Sequence, residues 1–289
     1  MNDSPGARPG GSRYPEPGMA RTERRRIAGG LLVGSVAGFL AGLFGVGGGI
    51  LIVPGLVFLG MRQRRAHGTS LAAIVPIAAS GIAGFWLEGS VDWPAAGLIA
   101  AGAAAGAVAG THVLQRLEGR ALRLLFAGLL AATAARLVVE TPSGAGWDPL
   151  DLAMVAGLLV LGAFAGVVAG LFGVGGGVVT VPALVILFAV PDPVAKGTSL
   201  VVILPTAIVG TWRNVRHGNA DLRVAAGTGL SGVVSAFLGS RVAIGLDPRL
   251  SAILFAGLLV VVAVRLLLVE RRRTAEDRVP LSPTDPAHG

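Results

Sequence analysis

The residues best placed to do chemistry in this chain are glycines. Gly45-Val46-Gly47-Gly48-Gly49 interrupts a long apolar run, and Gly173-Val174-Gly175-Gly176-Gly177 interrupts a second one. Glycine adopts backbone conformations and close approaches that other residues cannot. A helix restarting at about Ile50 or Val178 presents amide N–H groups without intrahelical partners, together with the positive end of its dipole. In low dielectric such a terminus is an anion site that needs no lysine or arginine. The same glycines can instead let helices pack closely, as in GxxxG contacts, and the spacing alone leaves both uses open.

A second motif is also written twice. Gly-Thr-Ser-Leu occupies residues 68–71 and 197–200. Thr69, Ser70, Thr198 and Ser199 suit the N-caps of the helices that follow, and their hydroxyls can also donate to oxyanion oxygens. Pro54 and Pro182 trail the glycine runs, while Pro76 and Pro205 fall inside the next apolar segments. Proline kinks a helix and frees backbone groups that can line a cavity. His67 and Lys196 stand at matching positions beside the Gly-Thr-Ser motif, either as charge contacts for an anion or as loop charges. Asp92 and Asp221 also match and read as N-caps. Arg136 and Arg265 lie near helix ends, where they can snorkel. Gly102, Gly106 and Gly110 read as plain helix packing. Trp212, Arg213, Asn214 and His217 form a polar cluster with no first-half counterpart, read as a cytoplasmic loop in preference to a gate.

What must position these residues follows from composition. The chain has 289 residues, 53% of them hydrophobic and 14% charged, against about 25% charged in ordinary globular chains. Its mean hydropathy is +0.74. These are the numbers of an all-α integral membrane protein. The formal charge of +8 comes from basic residues bordering apolar segments, the pattern of membrane topology rather than of nucleic-acid binding. Zero cysteines exclude disulfides, thiol catalysis and zinc-cysteine sites, and four scattered histidines without HExxH offer no metal centre. GxGGG lacks the soluble βαβ unit of a dinucleotide site, and no GxxxxGK[ST] phosphate loop exists. With no nucleophile–base or metal constellation, an enzyme is not expected. The expected partners are a small anionic substrate and the lipid bilayer; oligomeric state is left open.

The matches extend beyond the two motifs. AGLFGVGGG occurs at 41–49 and 169–177, each followed by Val-Pro, and FAGLL at 126–130 returns at 255–259. The offset is 128, then 129 after one inserted residue. The division is therefore a disordered basic tail at 1–26, a first transmembrane repeat at 27–140, a linker at 141–151, a second repeat at 152–270 and a C-terminal tail at 271–289. Arg24-Arg25-Arg26 before an apolar run imitates a signal peptide, but the segment recurs in the second repeat and is read as retained.

Each repeat holds four apolar blocks: 27–60, 69–87, 94–114 and 121–139, then 152–190, 198–212, 223–245 and 250–269. Most approach the roughly 20 residues of a transmembrane helix. The opening block of each half is too long for one straight crossing, so it either continues beyond the bilayer or breaks at the glycines and turns back. If both opening blocks turn back, 20 of the 24 basic residues lie on the side of the N-terminus and 4 opposite; if both cross, the split is 15 to 9. Returning blocks fit the positive-inside rule better and make the repeats inverted. The expectation is about eight hydropathy helices in two inverted repeats, with both termini cytoplasmic.

The duplicated AGLFGVGGG…VP, followed by GTSL and a helix proline, resembles the sulfite exporter TauE/SafE family, also called the 4-toluene sulfonate uptake permease group. The resemblance spans both halves. It implies a multi-pass permease of the inner (plasma) membrane that moves sulfur-containing anions such as sulfite or organosulfonates, driven by an ion gradient and without a cofactor. Carried onto this chain, the motif positions are the two glycine breaks, the two GTSL starts and the four prolines. His67 opposite Lys196 makes the half-sites unequal. A channel, or a scaffold that transports nothing, are the other readings.

Overall fold

The computed structural model describes residues 17–114, 124, 127–128, 130–135, 151–172 and 176–276. All regular elements among them are helical: α1 (Pro17–Phe44), α2 (Gly49–Phe58), α3 (Gln63–Trp86), α4 (Trp93–Leu114), α5 (Leu152–Phe172), α6 (Gly177–Leu187), α7 (Asp192–Arg216), α8 (Leu222–Gly245) and α9 (Pro248–Glu276). The described residues between 124 and 135 are helical too. Five helices among the described residues are long and apolar enough to cross a bilayer: α3, Leu152–Ala169 of α5, α7, α8 and Pro248–Arg265 of α9. Helices satisfy their own backbone polar groups, which is what hydrocarbon demands of a spanning segment.

Both ends are more helical than the sequence suggested. α1 starts at Pro17, inside the stretch 1–26 expected to be disordered, and α9 continues to Glu276, into the tail expected from 271. MARTERRR and ERRRTAE are built from good helix formers, which extend a helix once an adjoining segment has nucleated it. Of the linker 141–151 only Asp151 is described, and Gly173, Val174 and Gly175 lie outside the described residues.

The first opening block turns back. Gly48 lies against Ala37 and Ala41, Gly55 against Val33, and Gly29 against Leu59, so α2 runs antiparallel along α1. Ten residues of α2 measure about 15 Å, half of a hydrocarbon core of about 30 Å. The second opening block repeats the geometry: Gly176 lies against Ala165 as Gly48 does against Ala37, and Gly157 meets Phe188.

Close contacts also fix how the other helices run. Gly34, Gly38 and Gly42 of α1 meet Thr228, Gly232 and Ala236 of α8 in step, so α1 and α8 are parallel. Gly102 and Gly106 of α4 meet Leu159 and Ala163 of α5 in the same sense. A Cβ at any of these glycines would collide with a facing carbonyl oxygen, and its absence is what lets the backbones approach. The opening helix of each half therefore packs on the third apolar block of the other, α1 on α8 and α5 on α4. α3 is parallel to α8, with Ile77 on Gly232 and Gly84 on Ser240. Arg65 with Asp221, and Glu88 with Arg241, tie that pair at its two ends. By contrast α3 and its second-half counterpart α7 run antiparallel: Gly68 meets Asn214, Leu71 meets Gly210, and Gly81 meets Leu200.

Candidate functional site

The break between α1 and α2 is made by three left-handed glycines, Gly45 (φ 70°), Gly47 (φ 74°) and Gly48 (φ 77°), and Gly176 (φ 77°) is the counterpart of Gly48. L-residues reach this region at a cost of about 1–2 kcal/mol each. Gly45 abuts the Lys196 backbone, and a Cβ on Gly47 would sit 3.0 and 3.1 Å from methyl carbons of Ile203 and 3.7 Å from Ile74. Ile74 and Ile203 are the middle residues of α3 and α7, so Gly47 lies at mid-helix depth. Gly177 also faces Ile203, and a Cβ there would lie 2.9 Å from the Gly45 carbonyl oxygen and 3.0 Å from the Val46 Cα. The two breaks thus touch. Residues 45–50, which include Gly49, and 176–180 are buried. Gly48 and Gly176 occupy the N-cap positions of α2 and α6, and neither start has a side-chain cap.

The GTSL motifs are not where the sequence put them. α3 starts at Gln63 after Arg62 and α7 at Asp192 after Pro191, so Thr69, Ser70, Thr198 and Ser199 sit inside helices rather than at N-caps. For α7 the earlier start has a local cause, an aspartate in the first turn and a proline within its first two residues. The threonines reach the other half instead. Thr69 Oγ1 accepts the Asp221 amide at 2.9 Å, and Thr198 Oγ1 accepts the Asp92 amide at 3.0 Å. Asp92 caps α4 through the Ala95 amide at 2.9 Å, and Asp221 caps α8 through the Val224 amide at 3.3 Å. Each helix cap is therefore fastened to a threonine of the opposite repeat.

The serines differ. Ser70 and Ser199 are fully buried, and their hydroxyls have no hydrogen-bond partner. Thr211 and Thr228 carry orphan hydroxyls as well, but their repeat counterparts are Ile82 and Ile99, so among the described residues only the serines form a matched pair. Ser70 and Ile74, like Ser199 and Ile203, are four residues apart and share a helix face. Those isoleucines close over the glycine breaks. Pro54, Pro76, Pro182 and Pro205 lie inside α2, α3, α6 and α7, each removing one rung of helical hydrogen bonding.

Lys196 is no loop charge. Its side chain is wholly buried, 2.6 Å from Asp192 Oδ2, and donates to Ser251 Oγ at 2.6 Å. His67 opposite is half-buried, and Gln63 stands where the second half has Asp192. Sequence reasoning passed over Asp192 and Ser251, although Asp and Lys four residues apart is the spacing of a helical ion pair. Trp212, Arg213 and Asn214, expected in a loop, belong to α7. There Arg216 stacks over the Trp212 ring at 4.1 Å, Asn214 Nδ2 donates to the Gly210 carbonyl, and His217 follows as the helix C-cap.

Two helix pairs that turn back and touch at mid-depth, within a bundle of helices long and apolar enough to span a bilayer, define a polytopic membrane protein with discontinuous helices. The chain belongs to the sulfite exporter TauE/SafE family, whose model matches residues 7–137 and again 158–287. It is 31% identical over 244 residues to a "Probable membrane transporter protein" of Xylella fastidiosa (strain Temecula1 / ATCC 700964), covering 82% of this chain and 93% of that protein. A protein of the same name from Xylella fastidiosa (strain 9a5c) is 31% identical over 215 residues, covering 73% of this chain and 82% of its own. The "Probable membrane transporter protein YunE" of Bacillus subtilis (strain 168) is 28% identical over 216 residues, 66% and 79% of the two chains.

Proposed function

We propose that this chain is a secondary transporter of small sulfur-containing oxyanions, such as sulfite or organosulfonates, across the cytoplasmic membrane. The names of its relatives support transport. The antiparallel run of α3 and α7, with the parallel pairs α1–α8 and α4–α5, supports two inverted repeats. Both termini then lie on the cytoplasmic side, where the basic residues concentrate.

One observation carries the site: two uncapped helix starts touch at mid-depth beneath isoleucines that each lie one turn from a buried serine whose hydroxyl has no partner. The substrate oxyanion sits between the α2 and α6 amide ends (Gly47, Gly48 and Gly49 on one side, Gly176 and Gly177 on the other) and takes hydrogen bonds from Ser70 and Ser199. Thr69 and Thr198 hold the frame through their bonds to Asp221 and Asp92. Ile74 and Ile203 seal the site in this conformation and must move aside for an anion to enter. The bodies that rock are not the two repeats. Packing joins elements of both repeats, α1 and α3 with α8 on one side and α4 with α5 on the other, while α7 packs on α3 as well as on α4 and α6.

The test is uptake of labelled sulfite, thiosulfate, sulfoacetate and 4-toluenesulfonate into proteoliposomes. Saturable flux, weakened by Gly47→Leu, is expected. Absence of flux for all four would reject the proposal and leave the scaffold reading, which the tight seating of Ile203 on Gly47 and Gly177 also fits. Conductance that does not saturate would indicate a channel.

A further inference from the structure

The pair Asp192–Lys196 exists in one half only, and the glycines and serines make no use of it. Lys196 Nζ donates to Ser251 Oγ at 2.6 Å, Ser251 Oγ donates to Asp192 Oδ2 at 3.0 Å, and Nζ to Oδ2 is 2.6 Å, which closes a triangle between the heads of α7 and α9. The Asp192 side chain keeps 10% exposure while Lys196 keeps none, so the aspartate is the member that water reaches. On its other side the Lys196 backbone touches Gly45. The cluster thus spans from the exposed end of α7 to the glycine break. A buried ammonium in a membrane must keep an anionic partner. At the matching positions Gln63 and His67 offer no carboxylate.

The geometry points to Asp192 and Lys196 as a site that couples entry of a proton to entry of the anion. A proton from water binds Asp192 Oδ2, the neutral carboxyl releases the ammonium, and Lys196 takes the negative charge of the substrate at the break. The O–H bond that forms on Asp192 replaces one that breaks in a hydronium ion, which leaves as water, and one positive charge enters with each negative charge of substrate. On the far side the anion leaves, the proton leaves, and the ion pair closes again. This rests on the transporter reading and adds its coupling ion. Among the described charged groups on neighbouring elements, Arg249 of α9 is exposed and the carboxylates are engaged. Glu88 pairs with Arg241, Asp92 caps α4, and Asp247 caps the first turn of α9 through the amides of Arg249 and Leu250.

The test uses full-length protein in proteoliposomes loaded with a pH-sensitive dye, with 4-toluenesulfonate as the probe because its charge does not vary with pH. Wild type is expected to take up sulfonate faster under an inward proton gradient, with one proton entering per anion. Asp192→Asn should abolish the gradient dependence. Removing the competing carboxylate should also strengthen sulfonate binding about tenfold or more, read as a thermal shift at lower ligand concentration. If Asp192→Asn does not fold, Asp192→Asn/Lys196→Met leaves no charge buried and carries the test. It should lose the proton dependence together with about tenfold or more of sulfonate affinity. Sulfonate uptake without proton entry, or wild-type proton dependence in either variant, overturns this inference and leaves the transporter reading standing. No flux for any of the four anions overturns both.

Discussion

Replacing Ser70 and Ser199 by alanine separates a hydroxyl kept for a guest from one kept for the fold. Each is fully buried with no hydrogen-bond partner, and an orphan buried hydroxyl costs about 1–3 kcal/mol. Ser70→Ala and Ser199→Ala should therefore leave stability unchanged or raise it by about 1 kcal/mol each, measured by reversible unfolding in mixed micelles. Function should move the other way. A hydrogen bond to a charged oxygen contributes about 1.5–3 kcal/mol, so each substitution should weaken half-saturation for the transported anion about 10- to 150-fold. Thr69→Val is the control. Its Oγ1 holds the Asp221 amide at 2.9 Å, and loss of that acceptor should cost about 1–3 kcal/mol of stability. The assay is labelled-anion uptake beside unfolding on the same preparations. Serine variants that lose stability in step with uptake, or that transport as wild type does, would refute the reasoning, because the hydroxyls would then be structural or idle.

Gly47→Ala should cost about 2–4 kcal/mol, part from the left-handed backbone and part from crowding against Ile203. In a double-mutant cycle with Ile203→Ala only the crowding part, about 1–2 kcal/mol, should be recovered, and a coupling energy near zero would show that Ile203 does not sit on the break. Ala189, a non-glycine residue at φ 52° opposite Gly60 in the repeat, should gain about 1 kcal/mol on change to glycine, seen as a higher melting temperature. Arg65→Ala breaks an ion pair whose two side chains are partly exposed and should cost less than about 1 kcal/mol, with an effect that fades as salt is added to the unfolding buffer.

The duplication, the helical class and the turning-back of the first block were legible because each rests on a pattern the chain writes out, whether a fixed offset, a run length or a charge distribution. Asp92 and Asp221 were readable as caps for the same reason. What could not be read was which half each residue serves. Thr69 looks like a cap for its own helix, yet its oxygen accepts from Asp221, 152 positions away. Local propensity carries no record of a partner at that distance. Lys196 was visible as a charge, but its burial depends on Ser251 and on the fold of α9 over the head of α7. Asp192 sits between two prolines and reads as loop until the helix is seen to start there. The same spacing that identified GTSL as a paired motif placed it six residues too early in its helix, since nothing in Arg62-Gln63 marks a helix start as a good cap residue would.

The seating of α1 on α8 bears on how the protein is made. α1 ends at Phe44 and α8 begins at Leu222, so about 180 residues must be synthesised before the first helix can meet its main neighbour. At about 5–20 residues per second the wait is roughly 10–40 s. Throughout it, the glycine stripe at Gly34, Gly38 and Gly42 faces lipid or a surrogate. A ribosome that stalls midway would leave that stripe open to any other chain in the bilayer with small residues at the same spacing.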